Sequence, residues 1–100
     1  MKRIIKKKCY DTDTATAVAS ANNGLYMTNF YVQETLYRKK TGEFFLHGCG
    51  GSMTEYGDYK YGCWCSGERI IPITEKSAKV WATAFCDADT YIALFGKGEE

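Results

Sequence analysis

The sequence predicts an α+β fold: a small, mostly antiparallel sheet with a central β-hairpin and about three helices packed on one face. Residues 34–52 alternate around a Lys-Thr-Gly turn, which is the pattern of two paired strands. Residues 11–21 and 74–95 begin with helix-capping residues and then space their apolar residues as helices do. The predicted order is β-α-β-β-β-α-α, in a single domain spanning residues 1–100.

The chain is expected to start with a strand over residues 3–10, followed by a first helix from Asp11 to Ala21. Asp11 is a good N-cap residue, and the Asn-Asn-Gly run at 22–24 is a typical helix stop. Residues 25–31 show no periodic pattern, so we expect them to connect this helix to the hairpin.

The hairpin is the most strongly patterned part of the chain. Gly42 is expected to take the left-handed position of a three-residue turn. That register places Leu36 opposite Leu46 and Tyr37 opposite Phe45. Because both faces then carry large apolar side chains, the hairpin is expected to form the centre of the sheet.

The segment after the hairpin reads as a long loop. A glycine cluster at 48–51 ends the second strand, and residues 52–67 (SMTEYGDYKYGCWCSG) have neither helical nor strand periodicity. Loops of this length are unusual in small domains and often carry function.

The last third of the chain predicts a short strand and two helices. The strand covers residues 69–73, and Pro72 favours an edge position. Thr74 is expected to cap the next helix, and Asp87 to cap a final short helix that ends at Gly96. The core-facing stripe of the longer helix is expected to be Ala78, Trp81, Ala82 and Phe85.

Charge and cysteine content restrict the setting. The formal net charge is +1, so no global field favours nucleic acid or membrane. We expect no secretory signal, and no run of the sequence approaches the roughly 20 apolar residues of a membrane span. Five cysteines, an odd number, then favour a cytoplasmic protein with reduced thiols and no membrane partner.

No catalytic set or cofactor motif is evident, so the chain is expected not to be an enzyme and to need no cofactor. A catalytic thiol would require a nearby base and an orienting group, which the sequence does not indicate. The glycine cluster matches neither phosphate-binding fingerprint. A thiol-ligated zinc site is a weak alternative, since its ligands would be spaced more closely than usual: His47, Cys49, Cys63 and Cys65.

Aromatic and basic residues are the better candidates for a functional surface. Tyrosine, tryptophan and arginine dominate protein interfaces, so we expect a protein-binding surface formed by Tyr56, Tyr59, Tyr61, Trp64, Arg38 and Lys39. The alternative is a nucleic-acid-binding regulator that uses the lysine-rich start of the chain and the hairpin, through Lys6, Lys7, Lys8 and Lys40. In a third interpretation, the loop folds back and its rings complete the core.

Several motifs resemble a family of short, mostly uncharacterised proteins encoded by phages and mobile elements of Firmicutes and gut bacteria. The similarity covers nearly the whole chain and is carried by five patterns: YDTxTA at 10–15, ETLYR at 34–38, GExFLHGxGG at 42–51 with Tyr56, IxITE at 71–75 with Ala78 and Trp81, and YxxLFG at 91–96. It implies an accessory protein that binds a host protein, most sharply an anti-defence inhibitor of a CRISPR–Cas nuclease. It implies no catalytic residues, and Cys49, Cys63 and Cys65 are not part of the shared pattern.

Overall fold

The computed structural model describes residues 1–24 and 28–96, and residues 25–27 of the predicted connection lie outside that range. The described residues form eight strands and two helices. The strands are β1 Lys2–Ile5, β2 Lys8–Asp11, β3 Thr16–Asn23, β4 Val32–Arg38, β5 Phe44–Gly50, β6 Asp58–Lys60, β7 Cys63–Cys65 and β8 Gly67–Ile73. The helices are α1 Glu75–Phe85 and α2 Ala88–Phe95.

The predicted hairpin forms the centre of the main sheet, as expected. Strands β3, β4, β5 and β8 pair antiparallel in that order, so β4 and β5 are both internal. Leu36 pairs with Leu46 and Tyr37 with Phe45, which confirms the predicted register. Gly42 has a φ of 92°, the left-handed conformation that this turn requires.

One face of the sheet packs against the helices. Leu36 is fully buried there, in a cluster with Phe44, Leu46, Ala78, Trp81 and Ala82. The alanines of α1 let the helix backbone approach the sheet closely, and Trp81 fills the space beside them. Truncating a buried leucine or aromatic residue in such a cluster typically costs about 2–5 kcal/mol.

The opposite face buries Phe45, which has no exposed surface. Tyr10 meets its ring edge-on with centroids 5.5 Å apart, and Tyr37 stacks on it at 5.1 Å. Ile70 completes this second cluster. Because Tyr10 lies on β2, the β1–β2 pair covers this half of the sheet.

The prediction of one strand over residues 3–10 is wrong, because the chain folds there into a tight hairpin. Ile5 of β1 pairs with Lys8 of β2, which leaves a two-residue turn of Lys6 and Lys7. Their φ angles are 51° and 69°. Asparagine and glycine are the residues usually found in such turns, and a left-handed conformation costs other residues about 1 kcal/mol each. The turn therefore lacked the usual sequence signal.

The predicted helix from Asp11 to Ala21 is also wrong, so the described residues contain two helices rather than three. The Asp11 carboxylate accepts a hydrogen bond from the Asp13 backbone amide at 2.9 Å. This side-chain interaction closes a turn as readily as it caps a helix. The chain then enters β3, where small residues such as Ala19 and Ala21 lie against the helix face of the sheet.

The helical end of the chain follows the prediction with one exception. Thr74 accepts from the Ser77 amide at 3.1 Å, and Asp87 accepts from the Thr90 amide at 2.8 Å, so both predicted caps are confirmed. Phe85 is 52% exposed, so the buried stripe of α1 ends one turn earlier than predicted. The α+β class is confirmed, with the helices after the main sheet rather than on both sides of it in sequence.

Candidate interaction surfaces

The tyrosine-rich segment after the main hairpin is more ordered than the predicted structureless loop. It contains a small hairpin of its own, in which Tyr59 of β6 pairs with Trp64 of β7. Tyr61 and Gly62 form the two-residue turn, with φ angles of 53° and 81°. The hairpin is a separate two-stranded sheet that does not join the main one.

Tyr56 anchors the start of this segment to the main sheet. It is only 2% exposed, and it lies over Gly48, where any side chain would collide with its ring. Its hydroxyl donates to the Glu34 carboxylate, and the Trp81 indole donates to the other Glu34 oxygen at 3.2 Å. Burial, followed by the bond to Glu34, raises the pKa of the Tyr56 phenol well above its usual value, so it remains a donor.

The predicted protein-binding set therefore divides. Tyr56 is unavailable as a contact and matches the interpretation in which the loop folds back. Tyr59, Tyr61 and Trp64 point outward, with 60%, 103% and 62% of their surface exposed. We name these three rings on β6–β7 the aromatic hairpin.

The aromatic hairpin has a defined shape. The Tyr59 and Trp64 rings meet nearly edge-to-face, with centroids 5.4 Å apart and planes at 65°. Lys60 forms an ion pair with Asp58 at 3.4 Å, so the local charge is largely balanced. Beside the hairpin lies an open cleft of about 830 Å³, lined by charged groups of both signs, including Arg3 and Glu68, and by Trp64.

Arg38 and Lys39 do not belong to the same surface. Gly50 lines the cleft beside the aromatic hairpin and pairs with Val32, the first residue of β4. Arg38 is the last residue of that strand. Seven extended residues separate the two ends by roughly 20 Å. Lys39 also lies 4.4 Å over the Tyr10 ring, and only 16% of its side chain is exposed.

The lysines of the nucleic-acid alternative are brought together. Lys6 and Lys7 occupy the β1–β2 turn, and Lys40 occupies the neighbouring β4–β5 turn. Lys8 joins the two turns through an ion pair with Glu43 at 3.0 Å. Its hydrogen bond to Glu43 raises the pKa of Lys8 and lowers the pKa of Glu43, which is the direction expected of such a pair.

The four candidate zinc ligands do not assemble into a site. His47 Nε2 lies 2.9 Å from a Glu68 oxygen, and the Cys63 and Cys65 sulfurs are 3.8 Å apart. Over residues 1–24 and 28–96, no group of three or more histidine, cysteine, aspartate or glutamate side chains is arranged to hold a metal ion. The arrangement of these four side chains therefore does not support the zinc alternative.

Three of the thiols have a pKa shifted in the direction opposite to activation. All five cysteines are free. Burial raises the pKa of the Cys49 and Cys86 thiols, and the hydrogen bond with Cys63 raises that of Cys65. Catalytic thiols have a lowered pKa.

Two features of these surfaces were missed by sequence reasoning. One is the role of Glu34 as the acceptor for Tyr56 and Trp81. The only indication in the sequence is that the hairpin register directs this acidic side chain toward the helices. The other is the meeting of the two lysine-rich turns, which depends on a hairpin that the sequence did not reveal.

Comparison with known proteins gives no indication of function. No family model matches the sequence, and neither a curated protein nor a solved structure matches it. None of the helices in the described part of the chain is long and apolar enough to cross a membrane.

Proposed function

We propose that the protein acts by binding another protein through the aromatic hairpin, and not by catalysis. The observation that carries this proposal is the outward exposure of Tyr59, Tyr61 and Trp64 on one short hairpin. Tryptophan and tyrosine are the residues that most often dominate binding energy at protein interfaces.

The build of the hairpin supports this use of the rings. The strand pairing and the Tyr59–Trp64 contact hold two large rings in place before a partner arrives. Pre-ordered rings lose less conformational entropy on binding than flexible side chains do. The Lys60–Asp58 pair leaves little positive charge at the site, so a protein surface suits it better than a phosphate backbone does.

The resemblance to phage and mobile-element proteins supports a specific class of partner. Such elements benefit from proteins that block host defences. In its sharpest form, the proposal is therefore an inhibitor that works in the host cytoplasm by binding a defence protein such as a CRISPR–Cas nuclease.

The test combines a defence assay with affinity capture in bacterial cells that carry an active CRISPR–Cas system. Tagged wild type is compared with Tyr59→Ala/Trp64→Ala by transformation with a targeted plasmid and by recovery of co-purifying nuclease. We expect wild type to restore transformation and to capture the nuclease. Truncating two ring contacts should weaken capture by about thirtyfold or more, since hot-spot residues contribute about 2 kcal/mol or more.

The matched control is Val80→Ala/Ile92→Ala, which truncates two exposed apolar side chains on the helices and should behave as wild type. Equal capture by wild type and by the hairpin variant would overturn the hairpin assignment. Failure of wild type both to restore transformation and to bind any defence component would overturn the defence role.

A further inference from the structure

The two lysine-rich turns form one continuous basic surface at the end of the sheet remote from the aromatic hairpin. We name it the basic end and define it as residues 6–8 and 38–43. Glu43 holds the two turns together, because its carboxylate contacts Lys8 at 3.0 Å and Lys39 at 3.5 Å. The relative position of the two turns is therefore set by specific contacts.

The charge of the molecule is strongly uneven. Six cations and one carboxylate give the basic end a net charge of +5, whereas the whole chain carries only +1. The remaining residues consequently sum to −4. Lys6, Lys7 and Lys40 are exposed and have no ion pair among the residues that the structure describes.

The backbone of the β1–β2 turn gives no local structural reason for lysine at positions 6 and 7. Lys6 and Lys7 both have positive φ, at positions where asparagine and glycine are favoured. A strained conformation at a charged, exposed tip is a reason to look for function, since local stability alone would favour other residues.

We propose that the basic end binds the phosphate backbone of duplex DNA without reading its sequence. Lysine acts as a point charge toward phosphate, and duplex DNA presents a higher density of phosphate than a single strand does. Sequence-tolerant single-strand readers combine cations with stacking rings. Here the cleft that Trp64 of the aromatic hairpin lines is at the other end of β4, roughly 20 Å away along the strand. The site is separate from the proposed protein-binding surface and does not depend on it.

The number of available cations sets a quantitative expectation. Lys8 and Lys39 are engaged with Glu43, which leaves Arg38, Lys40, Lys6 and Lys7 to meet phosphates. Four phosphate contacts predict a slope of about −3.6 in a plot of log affinity against log salt concentration. The association constant should therefore fall by about 150-fold between 50 and 200 mM salt.

The test is fluorescence anisotropy with a labelled 20-base-pair duplex of mixed sequence, titrated at several salt concentrations. The informative variant is Lys6→Asn/Lys7→Gly, which removes two charges and installs the residues that the turn favours. We expect weaker binding at 50 mM salt and a slope near −1.8, which corresponds to about a twelvefold loss over the same salt range. Far-UV circular dichroism checks that the variant is folded.

Lys76→Ala/Lys79→Ala is the matched control, because it makes the same change in net charge on α1. Tyr59→Ala/Trp64→Ala should also bind the duplex as wild type does, which separates this proposal from the protein-binding one. The proposal is overturned if the protein does not bind the duplex at 50 mM salt, or if the α1 control weakens binding as much as Lys6→Asn/Lys7→Gly does. It is also overturned if an oligoglutamate peptide binds as tightly as a second duplex probe. The last result would assign the basic end to acidic protein segments.

Discussion

Glu34 is the residue that links the sheet, the helix and the aromatic segment. One carboxylate oxygen accepts from the Tyr56 hydroxyl, and the other accepts from the Trp81 indole at 3.2 Å. Burying part of a carboxylate costs little free energy when hydrogen-bond donors surround it, and the cost rises with each donor that is removed. The absence of a side chain at Gly48 is what gives Tyr56 room to reach it.

We predict that Tyr56→Phe destabilises the fold while keeping the ring in place. The substitution removes the hydroxyl that donates to Glu34, and a hydrogen bond to a charged group contributes about 1.5–3 kcal/mol. Urea unfolding should report a loss of that size. Tyr59→Phe is the control, because it removes an exposed hydroxyl and should change stability by less than about 0.5 kcal/mol. Equal losses in the two variants would refute the anchoring role of the Glu34 bond.

The burial of Tyr56, together with its bond to Glu34, predicts how the stability depends on alkaline pH. The folded-state pKa of Tyr56 is raised above its ordinary value of 10.0, so the unfolded state ionises first. The stabilising contribution is therefore complete below pH 10 and is lost as the pH rises toward the folded-state value. Comparing wild type with Tyr56→Phe by urea unfolding at pH 8 and above pH 10 checks this: the gap between them should narrow as the pH rises.

At the scale of elements, the β1–β2 hairpin carries two charged residues in its turn at a cost in stability. Its turn places two lysines in a left-handed conformation. We predict that Lys6→Asn/Lys7→Gly raises the free energy of unfolding by about 1–2 kcal/mol, because both new residues suit that conformation. Thermal and urea unfolding measure the gain. Lys40→Asn, in the adjoining turn, removes one charge without relieving positive φ and should leave stability nearly unchanged.

Combined with the DNA measurement, this variant separates two explanations of the turn. A variant that is more stable and binds DNA less tightly means that the lysines are retained for binding. A variant that is no more stable than wild type would show that the turn is not strained.

The elements predicted correctly from sequence are those whose signals are local. Gly42 and the alternation around it determine the central hairpin, and the capping residues Thr74 and Asp87 determine where the helices begin. The helix predicted after Asp11 was wrong because the same kind of side-chain hydrogen bond can close a turn or cap a helix. The β1–β2 turn was not predicted because lysine is not among the residues that usually form turns.

The candidate sites were less predictable than the fold because they depend on contacts between distant segments. Tyr56 looks like its exposed neighbours in the sequence, and only its packing over Gly48, eight residues earlier, distinguishes it. Lys8 and Glu43 meet across 35 positions of sequence. No residue pattern near either one indicates that pair.

At the scale of the whole molecule, the two proposed surfaces are distinct in both place and chemistry. The aromatic hairpin presents exposed rings with nearly balanced charge, and the basic end presents lysines around one carboxylate. The chain is elongated, with principal extents of 50 × 33 × 19 Å. A protein proposed to bind at one surface would therefore leave the other surface open to the proposed duplex DNA.

Glu43 gives this arrangement its sharpest test, because it is the one carboxylate within the basic end. Its pKa is lowered chiefly by the hydrogen bond from Lys8, so it is ionised at neutral pH, and this ion-pair contribution is lost only as the pH falls through that lowered value. We predict that Glu43→Gln frees the exposed Lys8 to meet a phosphate, whereas Lys39 stays over the Tyr10 ring. The salt slope for duplex binding should then steepen from about −3.6 toward about −4.5, with tighter binding at low salt.

The control for this prediction is Glu75→Gln, which makes the same change in net charge at the start of α1. If the uneven distribution of charge governs binding, Glu43→Gln changes the slope and Glu75→Gln does not. If only net charge matters, the two variants shift affinity equally and the basic end has no special role. Loss of DNA binding in Glu43→Gln would instead mean that holding the two turns together matters more than the charge that Glu43 neutralises.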